Sequence, residues 1–125
     1  MMCFTSLKKA PVFCPIVSNF YSGMLVTVPL HKSALSYGGI DDIKEIYKKS
    51  YSGKIVYYED NADESGFLSS AAKSGKDSMQ ISVYGNDERI ILTARYDNLG
   101  KGASGAAVEC LNLKLGVSET ENLVL

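Results

Sequence analysis

The sequence has 125 residues, is 46% hydrophobic and 22% charged, and carries a formal net charge of −1. A chain of this size can bury roughly two thirds of its unfolded surface around one core, and its composition excludes a disordered tail, a collagen-like rod and a coiled coil. The near-zero charge argues against a nucleic-acid partner, and apolar runs such as Met24 to Leu30 fall far short of the roughly 20 residues a membrane helix needs. Cys3, Cys14 and Cys110 are odd in number and widely spaced. They suit neither a disulfide framework nor a metal site and read as free thiols in a reducing compartment. Met1 to Ala10 lacks the apolar core of a secretory signal, so the expected location is the cytoplasm. One domain spanning residues 1–125 is expected.

In chain order, Pro11 to Tyr21 carries strand-like Val12, Phe13, Ile16 and Val17, confined by Pro11 and Pro15 to an edge or irregular entry. Met24 to Leu30 is dense in β-branched and large apolar residues and reads as a buried strand. After Gly38-Gly39, Ile40, Ile43, Tyr47 and Tyr51 recur at helical spacing. Asp41 and Asp42 lie in the first turn, and Lys48 and Lys49 in the last, which complements a helix dipole. Lys54 to Tyr58 reads as a strand, 59–78 as a loop-rich connection with a weak helical turn over Phe67 to Lys73. Met79, Ile81 and Val83 alternate with Gln80 and Ser82; a turn at Gly85 to Glu88 then leads into a strand from Arg89 to Tyr96, forming a hairpin. A helix from about Gly102 to Leu115, rich in small residues, ends at a Gly116 cap. The order implies an α+β two-layer sandwich: a mixed, mostly antiparallel sheet with helices on one face. Strands this apolar imply that the second sheet face is covered by another subunit or domain.

Gly100 to Gly105 matches GxGxxG between a strand and a helix. Only 20 residues follow Gly105, too few for the second parallel strand and acidic ribose ligand of a dinucleotide fold. Two explanations remain open: small residues that let a helix pack tightly, or a helix start whose free N–H groups and Lys101 face an anion. His31, the only histidine, reads as a strand-end residue, and Cys14 as a packing residue without the positive surroundings a nucleophile needs. Asp41/Asp42 and Asp87/Glu88 read as solvated pairs. No complete catalytic set emerges from the residues.

Taken together, two stretches carry a resemblance. Asp97 to Val108 (DNLGKGASGAAV), followed by Asn112 and Gly116, resembles the C-terminal signature of the short-form N-acetyl-γ-glutamyl-phosphate reductases. Pro11 to Val17 (PVFCPIV), with Phe20, Gly23, Met24 and Val26 to His31 (VTVPLH), resembles the start of the same enzymes' last stretch, in register from about Lys8 to Val117. A shorter DNLxxGAAxNAV version occurs in the related aspartate-semialdehyde dehydrogenases, the near alternative.

The resemblance implies a glyceraldehyde-3-phosphate-dehydrogenase-like C-terminal domain that binds substrate and oligomerises through its sheet. It implies NADP as cofactor and N-acetyl-γ-glutamyl phosphate as substrate, in arginine biosynthesis. The Rossmann domain, the thioester-forming cysteine and the acid–base histidine of the family lie upstream of Pro11, so no catalytic residue is assigned in this chain; Cys14 falls where the family usually has serine. Asn98, Gly100, Lys101 and Gly102 match the turn beside the nicotinamide, and Tyr21, Ser22 and Gly23 the loop beside the substrate. Ser22 stands where longer family members carry arginine. The chain is thus expected to be inactive alone. The rival expectations are a non-catalytic oligomerising interaction or regulatory module, and a small-ligand sensor using the Gly100–Gly105 helix start as an anion site.

Overall fold

A computed structural model describes residues 10–125; Cys3 lies outside the described residues. Four strands form one sheet: β1 (Met24–His31), β2 (Val56–Tyr58), β3 (Met79–Gly85) and β4 (Arg89–Tyr96), in the spatial order β1-β4-β3-β2. β1 and β3 run antiparallel to β4, while β2 runs parallel to β3. Two helices complete the fold, α1 (Ile40–Ser50) and α2 (Gly105–Leu115). This is the α+β architecture expected.

The hairpin β3–β4 closes through Asn86 and Arg89, which exchange backbone hydrogen bonds at 2.9 and 3.2 Å. Asn86 Oδ1 accepts the N–H groups of Glu88 and Arg89, each at 3.0 Å, so one side chain holds the turn. The neighbouring Asp87 is not merely solvated. Its Oδ1 accepts the Ile40 N–H at 3.0 Å and so caps α1 from across the fold. Asp42 Oδ2 takes the Gly39 N–H at 2.7 Å, completing the helix start. Ile40 then packs with Val83 and Ile90, flanked by Leu30, Leu35, Ile43, Tyr47, Tyr58 and Leu92. Ile90 is 1% exposed and marks the centre of this small core.

The opposite face of β3 and β4 carries Gln80, Ser82, Thr93 and Arg95, and all four are buried within the chain. The 59–78 connection folds back over them. Arg95 Nε donates to Gln80 Oε1 at 2.8 Å, while its guanidinium also donates to Glu64 Oε1 at 2.6 Å and to the Ala62 and Ser69 carbonyls. The Ser82 hydroxyl donates to the Glu59 carbonyl at 2.8 Å. Buried polar groups persist only when paired, and Arg95 supplies the pairing that the connection's own backbone lacks. That connection holds a Glu64–Phe67 bridge and a run of turns over 70–75 in place of a helical turn over Phe67 to Lys73.

Two further expectations are corrected. Pro11 to Tyr21 forms no strand: Val12, Phe13, Ile16 and Val17 are at least 77% exposed, and Pro11 and Pro15 donate no ladder bonds. Met24 to Leu30 is a strand but an edge strand, with Met24, Val26 and Val28 exposed rather than buried. The edge position is also what tolerates Pro29.

Helix α2 ends as expected at Gly116, whose φ of 72° is the left-handed cap conformation. Its small-residue surface is used only locally. Gly105 and Asn112 are buried, while Leu111, Leu113 and Leu115 are more than half exposed. Asn112 Nδ2 donates to the Glu119 and Glu121 carbonyls, which folds the C-terminal tail back along the helix.

Candidate functional site

Three segments far apart in sequence meet beyond the Tyr96 end of β4: the loop before β1, the end of the 59–78 connection, and the turn that leads into α2. Asp97 stands at their junction, 3% exposed. Its Oδ1 accepts the N–H groups of Leu99 at 2.7 Å and Gly100 at 3.0 Å. Its Oδ2 accepts the Ser22 hydroxyl at 2.7 Å and the Gly75 N–H. Burial alone pushes this carboxyl's pKa up. The hydrogen bonds from Gly100, Gly75, Ser22 and Leu99 outweigh that effect and hold it at about 2. Beside this cluster, Asn98 Oδ1 accepts the Gly23 N–H at 2.8 Å.

The Gly100–Ser104 segment is a wide turn with i→i+5 bonds, Gly102 N–H to Asp97 O at 2.8 Å and Ser104 N–H to Leu99 O at 2.9 Å. Its glycines are close-approach positions. A Cβ on Gly100 would lie 2.6 Å from the Lys76 carbonyl, and one on Gly105 2.2 Å from Asp77 Oδ1. The N–H groups of Leu99, Gly100, Lys101 and Gly102 all have acceptors within the chain. The tight-packing explanation of GxGxxG is therefore the one the geometry supports; an anion would find these donors already engaged.

Of the residues singled out from sequence, Ser22, Gly23, Asn98 and Gly100 come together. Ser22 is 6% exposed and turned to Asp97, and Gly23 has a φ of 127° with Ser70 O 2.4 Å from where its Cβ would sit. Tyr21 is 90% exposed beside them. Lys101 pairs with Glu109 on α2, and Gly102 packs against the Tyr96 ring. Asp97, Ser70, Ser74 and Gly75 were not singled out. An aspartate just before a glycine-rich turn is a capping signal that pointed to Asp97; nothing local marks the other three.

Two clefts flank Tyr21 and Ser22. One, of about 360 Å³, is lined by Ile16, Phe20, Met24, Ser70 and Asn98 among others. The second, of about 470 Å³, lies on the side of Asp97, Ser74, Asp77 and Ser104. The Gly23 N–H assigns Asn98 Oδ1, which leaves Asn98 Nδ2 without a hydrogen bond among the described residues. The first cleft thus offers one donor amide beside an apolar and aromatic wall. The described residues hold no cluster of three or more metal-ligating side chains and no helix long and apolar enough to cross a membrane.

Fold and site together define an α+β two-layer domain with a ligand-sized cleft where loop, connection and turn meet. By sequence the chain is homologous to a portion of the N-acetyl-γ-glutamyl-phosphate reductases. It is 40% identical to N-acetyl-gamma-glutamyl-phosphate reductase 2 of Nostoc sp., over 92% of this chain and 38% of that protein. It is 39% identical to the N-acetyl-gamma-glutamyl-phosphate reductase of Sinorhizobium medicae (87% of this chain, 37% of that one) and 37% identical to that of Brucella ovis (88% and 37%). The chain therefore spans less than two fifths of the length of these relatives. No protein-family profile matches it.

Proposed function

We propose that this chain is the C-terminal substrate-binding and oligomerisation domain of an N-acetyl-γ-glutamyl-phosphate reductase, of the glyceraldehyde-3-phosphate-dehydrogenase-like type, acting in the cytoplasm. The observation that carries the proposal is the cleft at Asn98 and Tyr21–Gly23. It is built from the two stretches that resemble the reductases, and the homology spans about nine tenths of the chain.

NADP fits this cleft only in part. Hydride in the whole enzyme would come from NADPH. From this chain, Asn98 Nδ2 supplies one donor suited to a carboxamide oxygen, with Phe20 and Met24 in the apolar wall beside it. Gly100 and Gly102 shape the turn by close approach, and Lys101 is held by Glu109, so phosphate recognition falls to residues outside this turn. Tyr21, exposed at the seam of the two clefts, is the side chain best placed to meet N-acetyl-γ-glutamyl phosphate. Among the described residues, Cys14 and Cys110 are exposed free thiols and neither lies in either cleft. The resemblance to the reductases assigns the thioester nucleophile and the acid–base histidine to the remainder of the enzyme.

The purified 125-residue chain is expected to give no NADP reduction with N-acetylglutamate semialdehyde and phosphate. It is expected to associate with itself as its concentration rises in light scattering. Measurable turnover overturns the assignment of catalysis elsewhere, and a monomer at every concentration overturns oligomerisation.

A second proposal, a non-catalytic interaction module, draws on the exposed Val12, Phe13, Ile16 and Val17. A nicotinamide nucleotide separates the two. Perturbation of Asn98 favours the reductase domain, and indifference of the whole cleft favours the module.

A further inference from the structure

We infer that Asp97 is a positioning residue that joins the Tyr21–Gly23 loop and the Asn98–Gly100 turn into one unit, and thereby sets which end of the Asn98 amide faces the cleft. What that unit holds rests on the reductase proposal; the unit itself rests on geometry alone.

The two oxygens of Asp97 divide the work. Oδ1 faces its own turn, taking the Leu99 and Gly100 N–H groups. Oδ2 faces the other two segments, taking the Ser22 hydroxyl, 75 residues away in sequence, and the Gly75 N–H, 22 residues away. An ionised carboxylate only accepts, so the Ser22 proton must point at Asp97. The 2.6 Å contact between Ser22 Oγ and Ser74 Oγ is then donated by Ser74. All three segments are thus joined through one buried oxygen, and Ser22 keeps no proton for a ligand. A substrate role for Ser22 would act through position rather than contact.

The next residue along each strand of this junction repeats the link. Gly23 follows Ser22, Asn98 follows Asp97, and the Gly23 N–H donates to Asn98 Oδ1 at 2.8 Å. The Ser22–Asp97 and Gly23–Asn98 bonds form two rungs of one ladder. The first rung is buried; the second borders the cleft. Loss of the first frees the loop carrying the second, and Asn98 can then turn its amide either way. The cleft would recognise an acceptor such as a carboxamide oxygen only while the ladder holds.

Amide exchange by NMR on the 125-residue chain tests this, with S22A and D97N. In S22A, Gly23 is expected to exchange about tenfold faster, and the Asn98 side-chain NH₂ pair to move toward the shifts of an unstructured asparagine. D97N adds faster exchange at Gly75, Leu99 and Gly100. Val83 and Ile90 in the core are expected to stay as in the wild type in S22A, where the Asp97 carboxylate remains. Acceleration in S22A that includes Val83 and Ile90 as much as Gly23 makes the junction a general stabiliser and overturns the inference. So does an unchanged Gly23 in S22A, which keeps the test sound if D97N fails to fold. Nicotinamide mononucleotide is then added: the Asn98 side-chain signals are expected to shift in the wild type and not in S22A. A nucleotide shift retained undiminished in S22A also overturns the inference. A wild type that ignores the nucleotide removes the reductase role of Asn98, while the exchange data still decide the ladder.

Discussion

Replacing Gly105 by alanine separates two explanations of the GxGxxG run by the sign of a stability change. In an open helical position alanine is better than glycine by about 1 kcal/mol. Here the added Cβ would lie 2.2 Å from Asp77 Oδ1, 2.7 Å from Cγ and 2.9 Å from Cβ. Asp77 is not free to swing aside. Its Oδ2 accepts the Val124 N–H at 3.0 Å, and its own N–H donates to the Val124 carbonyl at 2.6 Å. Overpacking of this kind costs about 1–3 kcal/mol, and a 2.2 Å approach to a tethered side chain belongs at the upper end of that range, so G105A is expected to lose up to about 2 kcal/mol net. Removing the obstacle should restore the helical gain: in D77A/G105A the alanine becomes favourable, giving a coupling of about 2 kcal/mol across the double-mutant cycle. Urea unfolding followed by circular dichroism measures all four proteins. A G105A chain more stable than wild type, with no coupling to Asp77, would refute the packing explanation and return the glycine to a ligand-approach role.

Acid should weaken the junction in a defined window. The Asp97 carboxyl is held at about 2, below its unfolded value of about 4. Its contribution of about 2–3 kcal/mol is therefore complete above the unfolded value and is lost as pH falls through about 4 to 2. D97N is expected to flatten that part of the stability–pH curve, although Asp60, paired with Lys48, and Glu64, bonded by Ser69 N–H and Arg95, are lowered too and keep a residual slope. An acid limb identical in D97N and wild type would contradict this. Arg95→Met should cost about 3 kcal/mol, because Gln80 and the Ala62 carbonyl lose a buried partner while Glu64 is left half-exposed. Limited proteolysis is expected to cut R95M first within residues 61–68, with the β3–β4 hairpin intact; unchanged resistance there would show that the connection is held by something else.

Local patterns were legible where local forces decide them. The acids at the start and lysines at the end of α1, the Gly85–Glu88 turn and the Gly116 cap each depend on residues within a few positions, and each appears where expected. Pro11 to Tyr21 was misleading because strand composition without a partner makes no strand. β1 was misleading because an apolar run looks the same at an edge as at a centre. Nothing near Gln80 and Ser82 marks them as buried within the chain, because the arginine that covers them comes from the paired strand and its partners from the 59–78 connection. In the site, the DNLGKG run was visible as a motif. That Asp97, rather than Lys101, is the residue at its centre was not, because the Ser22 and Gly75 contacts of Asp97 lie 75 and 22 residues away.

By itself, the sequence determined the α+β class of this chain and its likeness to the reductase signature, since composition, periodicity and turn chemistry act over short spans and need no partner. Only the tertiary structure decided which strand lies at the edge, which sheet face is polar and buried, and that the glycines of the signature serve close approach. Those outcomes depend on hydrogen bonds and contacts between segments distant in sequence. Their free energy exists only once the sheet has closed and water has been removed from between them.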